Sequence, residues 1–148
     1  MLRPNTTKVK FLKFKKGRIK GFETRGDHLS FGLYGIKTTN TFRMTPEQIE
    51  TGRILLVKEL RTIAKGLKFK IWIRVFPHIG LSSKPKEARM GKGKGKINKY
   101  IARVKAGQLL YEIDCPNLNN ISFKNLIRLL KPKFPINLLG ISRNFEKI

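Results

Sequence analysis

The chain has 148 residues, enough for one domain and too few for two, and its 40% of hydrophobic residues can supply a core. Its 33 Lys and Arg against 9 Asp and Glu leave a formal net charge of +24, a self-repulsion that points to a polyanionic partner: RNA, DNA, an anionic membrane or an acidic polysaccharide. One cysteine, Cys115, excludes an internal disulfide; with His28 and His78 it makes a poor zinc set, and no apolar run approaches the roughly 18 residues of a membrane span.

The elements follow in chain order. Residues 1–26 carry nine Lys and Arg against Glu23 alone. The stretch lacks an apolar signal-peptide core, and residues 1–18 read as an extended basic arm that a partner must order. The rest, 19–148, reads as a single domain. Residues 29–38 alternate through Leu29, Phe31 and Leu33 and predict a strand, weakened by Gly32 and Gly35. Thr45-Pro46-Glu47-Gln48 predicts a helix start: Thr45 caps, Pro46 suits the first turn and Gln48 completes a capping box. The helix should run to about Lys65 and stop at Gly66. Ile49, Leu56, Leu60, Ile63 and Leu67 form its expected buried stripe, widened by Ile54, Leu55 and Val57.

Residues 68–76 alternate strictly. Phe69, Ile71, Ile73 and Val75 share one face, expected in the core; Lys70, Trp72, Arg74 and Phe76 share the other. That second face either offers cations and aromatic rings to RNA or packs Trp72 in a second apolar layer. A long connection follows, 77–98, and residues 84–105 hold another nine Lys and Arg against Glu87. Glycine and lysine alternate at its tip, which lets backbone approach phosphates while lysines neutralise them; a flexible solvated loop is the alternative. Residues 100–104 and 109–113 flank Ala106-Gly107 and predict a hairpin. Cys115 reads as a small residue at a strand end. A second helix is expected over 121–130, with Phe123, Leu126, Ile127 and Leu130 on its apolar face, and a last strand over 136–141. The pattern is α+β: a mainly antiparallel or mixed sheet with two helices packed on it.

Enzymatic readings find no support. The glycine–lysine tract lacks the Gly-x-x-x-x-Gly-Lys-[Ser/Thr] spacing of a nucleotide-binding loop. No plausible Ser-His-Asp or Cys-His set exists, and Glu112 and Asp114 suit solvation or pairing with cations better than a catalytic pair. No cofactor or metal is expected. A cationic membrane-active protein is disfavoured because the first helix mixes Glu47, Glu50 and Glu59 with its cations. A basic nucleic-acid binder remains.

Several stretches resemble the universal large-subunit ribosomal protein L-sixteen family in its bacterial and organellar form. They are Met1-Leu2-x-Pro4 with the arm through Arg18, Ser30-Phe31-Gly32, Gln48-Ile49-Glu50 with Arg53, and Lys70-Ile71-Trp72-Ile73-Arg74-Val75-Phe76-Pro77. Lys84-Pro85, Arg89-Met90-Gly91-Lys92-Gly93-Lys94-Gly95 and Gly107-Gln108-Leu109-Leu110-Tyr111-Glu112-Ile113-Asp114 complete the set over about residues 1–114. The resemblance implies a hammerhead-type α+β fold, no enzymatic activity, no homo-oligomer and no membrane. Its implied partners are large-subunit rRNA, aminoacyl-site tRNA and other large-subunit proteins.

Carried over by position, Lys8, Lys10, Lys13, Lys15, Lys16, Arg18, Lys20, Arg53, Arg74, Lys84, Lys86, Arg89, Lys92, Lys94 and Lys96 are the implied rRNA contacts. Arg89, Met90, Gly91, Lys92, Gly93 and Lys94 are the implied neighbours of the tRNA site. The chain departs from the family where Arg53 is followed by Ile54, where Asn40-Thr41-Phe42-Arg43 thins a basic stretch, at the extra Leu67-Lys68-Phe69, and in the tail after Ile136. Family-like residues at Met1 without a transit extension, an Asn/Ile/Lys/Phe-rich composition and Tyr100-Ile101-Ala102-Arg103-Val104 imply an organelle-encoded mitochondrial protein, with a bacterial cytoplasm as alternative.

Overall fold

The structure, a computed structural model, describes residue 11 and residues 13–143. Among these it contains seven strands and two α-helices: β1 (Tyr34–Thr38), β2 (Phe42–Met44), α1 (Pro46–Ala64), β3 (Lys70–Ile73), β4 (Ile79–Ser82), β5 (Ile97–Val104), β6 (Leu109–Asp114), α2 (Asn120–Leu130) and β7 (Leu138–Ser142). The expected α+β class holds, but the strands form two antiparallel sheets, with orders β3-β6-β1-β7 and β2-β5-β4.

The expected hairpin of residues 100–104 and 109–113 does not form. Val104 pairs with Phe42 in one sheet, while Leu109 pairs with Lys37 in the other. The turn itself is present: Gly107 sits at φ +81° and the Gln108 N–H donates to Lys105 O. The strands leave it along earlier partners. Gly107 N–H donates to Thr38 O at 2.8 Å, Thr38 N–H to Gln108 O at 3.1 Å, and Thr38 Oγ1 to Lys105 O at 2.9 Å. Residues 34–44 therefore pair with 102–113 as one bent ribbon that passes from the first sheet into the second.

Helix α1 starts as its sequence directs. Thr45 accepts from Gln48 N–H, the Gln48 side chain accepts from Thr45 N–H, and Pro46 opens the first turn. Lys65 ends it in the left-handed region, with Gly66 at φ +91° beyond. The buried stripe is narrower than the apolar pattern suggests. Ile49, Leu56 and Leu60 are buried, Ile63 is half-buried, but Ile54 is 56% and Leu67 52% exposed. Ile54 lies 100° or more around the helix from Ile49, Leu56 and Leu60, and among the described residues that side is left open. Helix α2 begins one residue early and buries Phe123, Leu126, Ile127 and Leu130 as expected.

Other boundaries differ as well: the 68–76 alternation yields a strand only over Lys70–Ile73, with Phe69, Ile71 and Ile73 half-buried and Val75 buried, and the last strand runs Leu138–Ser142 instead of 136–141. The strand expected over 29–38 begins only at Tyr34, because the backbone of residues 30–32 is turned toward the side chain of Glu112. The 77–98 connection contains β4, which pairs with β5, so the unpaired stretch is 83–96. The core lies between the helices and the sheets, with Ile36, Met44, Ile49, Leu56, Leu60, Leu110, Tyr111, Ile113 and Phe123 at its centre. Cys115 is buried just past β6, and burial pushes its thiol pKa up, with Asp114 adding to the effect.

Tyr111 fixes α1 on the sheet. Its hydroxyl donates to Ile49 O at 2.8 Å inside the core, and burial raises its pKa above the ordinary phenol value. The hydroxyl reaches the helix because Gly52 has no side chain: a Cβ there would lie 2.5 Å from Tyr111 Oη and 2.7 Å from Phe134 Cζ. Gly52→Ala should destabilise the protein by about 1–3 kcal/mol through overpacking, despite the better helix propensity of alanine. Urea unfolding monitored by far-UV circular dichroism measures this; an unchanged midpoint would show that the helix can shift at little cost.

Candidate nucleic-acid interface

The two basic segments, far apart in sequence, lie against each other. Lys13 Nζ donates to Lys94 O at 3.0 Å, and Lys94 Nζ donates back to Phe14 O. Arg103 Nη2 donates to Lys15 O, and Arg43 Nη2 to Gly17 O at 2.7 Å. Residues 13–20 have no helix or strand of their own and run over the β2-β5-β4 sheet. Lys13, Lys15, Lys16, Arg18 and Lys20 are exposed there, as are Lys84, Lys86, Arg89, Lys92, Lys94 and Lys96 on the 83–96 loop. Lys8 and Lys10 lie outside the described residues.

The loop stands on the β4–β5 pair, closed by Ser83 N–H donating to Lys96 O at 3.2 Å. Lys84 Nζ reaches across to Gly91 O. At its tip Gly91, Lys92 and Gly93 all have positive φ, +97°, +53° and +72°. A Cβ at Gly93 would meet nothing within 4 Å among the described residues, so its glycine answers to backbone conformation more than to crowding. Met90 is 96% exposed beside it. The arrangement leaves the loop's cations exposed, with the Gly91 and Lys94 carbonyl oxygens taken by Lys84 and Lys13.

Arg53 and Arg74 are committed to carboxylates. Arg53 Nη2 lies 2.6 Å from Glu50 Oε1, a bond that lowers the Glu50 pKa and raises that of Arg53. Arg74 Nη1 lies 3.1 Å from Glu112 Oε1, an ion pair outside good hydrogen-bond direction, while Glu112 Oε2 accepts the backbone N–H groups of Ser30, Phe31 and Gly32 at 3.1, 2.7 and 3.0 Å. Glu112 is fully buried. On the 70–76 polar face the rings pack partly on one another and partly stay open to solvent. Trp72 is half-buried and stacks on Phe31 at 5.7 Å, Arg74 lies 5.1 Å over the Phe31 ring, and Phe76 is left 49% exposed.

Sequence reasoning did not single out Arg43 and Arg103, which the fold places opposite each other in the β2–β5 register. Their signal is the pairing itself, invisible while residues 100–104 are assigned to a hairpin with 109–113.

Comparison with known proteins gives a consistent picture. The family model described as ribosomal protein L16p/L10e matches residues 6–139. The chain is 46% identical over 120 residues to the large ribosomal subunit protein uL16m of Marchantia polymorpha, covering 81% of this chain and 84% of that protein. It is 40% identical over 136 residues to uL16m of Prototheca wickerhamii, covering 92% and 94%. To uL16 of Leptospira biflexa it is 35% identical over 144 residues, covering 97% and 98%.

The Glu112 site makes a structural prediction. Glu112→Gln keeps the shape but removes the charge that holds Arg74 and three N–H groups, which should cost about 3 kcal/mol, as for breaking one half of a buried pair. Thermal melting of the free protein measures it, and a variant as stable as wild type would show that Arg74 finds an equal partner in water.

Proposed function

Because the chain belongs to the ribosomal protein L16p/L10e family, we propose that it binds large-subunit rRNA beside the aminoacyl-tRNA site and helps shape the surface that receives tRNA. Family membership makes it a structural constituent of the large ribosomal subunit and not an enzyme. The observation that supports the finer reading is the meeting of residues 13–20 with the 83–96 loop on one sheet. Two segments that separately are charged tracts become one cationic surface, long enough to follow an RNA backbone. The rRNA contacts on this reading are Lys8, Lys10, Lys13, Lys15, Lys16, Arg18 and Lys20, the loop residues Lys84, Lys86, Arg89, Lys92, Lys94 and Lys96, and, apart from that surface and already paired with carboxylates, Arg53 and Arg74. Arg89 to Lys94 form the tRNA-proximal tip. The likeness to uL16m proteins supports a mitochondrial ribosome as its location, and the Asn/Ile/Lys/Phe-rich composition is what suggests organelle encoding; the bacterial uL16 relatives keep a bacterial ribosome as the alternative.

Two experiments test the reading. The protein should co-sediment with large subunits through a high-salt wash, and the free protein should bind an rRNA transcript with a steep salt dependence. Each neutralised phosphate contributes roughly −0.7 to −0.9 to the log–log slope, and about six to ten contacts are expected. A slope shallower than about −2, or release from subunits as soon as salt is raised, would place the protein's charge elsewhere, as for a nucleic-acid binder acting off the ribosome.

The loop tip has its own test. If Arg89, Lys92 and Lys94 act by position, replacing each with alanine should remove a charge-assisted contact worth on the order of 1.5–3 kcal/mol when desolvated, with no loss of domain stability. Gly93→Val retains every charge but forces a β-branched residue to φ +72°. It should impair subunit maturation or tRNA accommodation about as much as losing a lysine. Normal translation by Gly93→Val subunits, alongside failure of the lysine variants, would reduce the tip to a loose cationic tether.

A further inference from the structure

We propose that Arg43 and Arg103 form a two-guanidinium clamp for a single backbone phosphate of RNA, a site that rests on the rRNA-binding reading above and lies outside the residues assigned to it there. The two arginines are Cα partners in the antiparallel β2–β5 pair, so their side chains leave the same face of the sheet side by side. Like charges in that position destabilise a sheet unless something answers them. Among the described residues no ion pair joins either arginine to a carboxylate: Glu50, Glu112 and Glu23 are taken by Arg53, Arg74 and Lys105.

Both guanidiniums converge on one point of the chain, Gly17. Arg43 donates to its carbonyl oxygen at 2.7 Å, and Arg103, which donates to Lys15 O, lies so close that a Cβ at Gly17 would sit 3.4 Å from Arg103 Nη2 and 3.6 Å from its Cζ. Gly17 has φ +59°, which allows the backbone to turn under the two side chains. Carbonyl oxygens satisfy one donor on each arginine but carry no net charge. Each guanidinium has five N–H donors, and Nε of both Arg43 and Arg103 is buried from solvent with no hydrogen-bond partner.

Two positive charges without a carboxylate partner, two unpartnered Nε–H donors and a shared meeting point suit a tetrahedral anion that takes the places now held by the Lys15 and Gly17 carbonyl oxygens. A phosphodiester has two charged oxygens, and a guanidinium binds such oxygens through paired parallel bonds. The anion also has a place to enter: a surface hollow beside Arg43 is lined by Arg18, Ile19, Lys20, Thr41, Phe42 and Arg43. Arg18 and Lys20 add charge at its rim, and the half-buried Phe42 offers an apolar wall to the adjoining sugar or base.

The test is the salt dependence of binding to an in vitro large-subunit rRNA transcript, measured for wild type and for Arg43→Gln/Arg103→Gln. One shared phosphate predicts that the double variant loses about one contact's worth of slope, roughly 0.7–0.9. An unchanged slope, as expected if an acidic protein segment is the true occupant, overturns the clamp; so does a loss near twice that size, which would mean two independent contacts. Arg43→Lys/Arg103→Lys guards against a folding defect in the glutamine variant. It keeps both charges but not the fork, so the slope should stay and affinity should fall several-fold; unchanged affinity overturns the clamp as well. A shallow slope already present in wild type would count against rRNA binding as a whole, whereas a steep wild-type slope with unaltered variants rejects only this site.

Discussion

The bent ribbon formed by residues 34–44 and 102–113 is the constraint on which the remaining structure depends. Its first limb, β1 with β6, lies at the centre of the four-stranded sheet; its second limb, β2 with β5, belongs to the three-stranded one. Thr38 holds the bend, with backbone bonds to Gly107 and Gln108 and its hydroxyl on Lys105 O. Everything functional hangs from one limb or the other. The first carries Tyr111, which seats α1, and Glu112, which folds residues 30–32 and anchors Arg74. The second carries Arg103 and Arg43, and its β5 strand extends into the glycine–lysine loop through the pairing with β4.

This division sorts the charge. On the first limb the acidic Glu112 meets a cation inside the fold, with its second oxygen fully used by three N–H groups. Three hydrogen bonds to a buried carboxylate, added to an arginine, offset a desolvation cost that neither could meet alone. On the second limb Arg43 and Arg103 meet carbonyl oxygens and, among the described residues, no carboxylate. The same residue type, arginine in a strand or beside one, is therefore a structural element at Arg74 and an unanswered charge at Arg43 and Arg103. What separates the two cases is the presence of a carboxylate in reach, which the sheet register decides.

That register explains what was legible beforehand. The start of α1 could be read because a capping box is a local device: Thr45, Pro46 and Gln48 interact within one turn. The α2 face was legible for the same reason, and so was the strand at Lys70–Ile73, though it is shorter than the 68–76 alternation that announced it. Strand partners were not, because a period of two says that a segment is a strand and says nothing of its neighbour. Residues 100–104 and 109–113 carried a sound turn between them and still went to different sheets. The alternation of Leu29, Phe31 and Leu33 misled more directly: the N–H groups of Ser30, Phe31 and Gly32 are used by a side chain eighty residues away, so no ladder can form there. Of the candidate site, the two basic segments stood out as charge, but their contact through Lys13 and Lys94 did not, and the Arg43–Arg103 pair could not stand out before its register was known.

The way the basic segments are held bears on how a partner would enter. A lysine or arginine bonded to a backbone carbonyl keeps its geometry without losing its charge, so each such bond between the 13–20 segment and the loop positions a cation while leaving the repulsion among its neighbours in place. A free domain with a net charge of +24 cannot relieve that repulsion from its own nine acids, of which Glu112, Glu50 and Glu23 are already paired with Arg74, Arg53 and Lys105. Phosphate oxygens can do both at once: they accept the same N–H bonds and they cancel the charge. Exchanging carbonyl for phosphate therefore keeps the geometry of the surface and removes its main electrostatic penalty. The surface is thus held by charge-assisted bonds from cations to carbonyl oxygens, which fix the positions of those cations without cancelling their charge, on a core, ribbon and register set elsewhere in the fold.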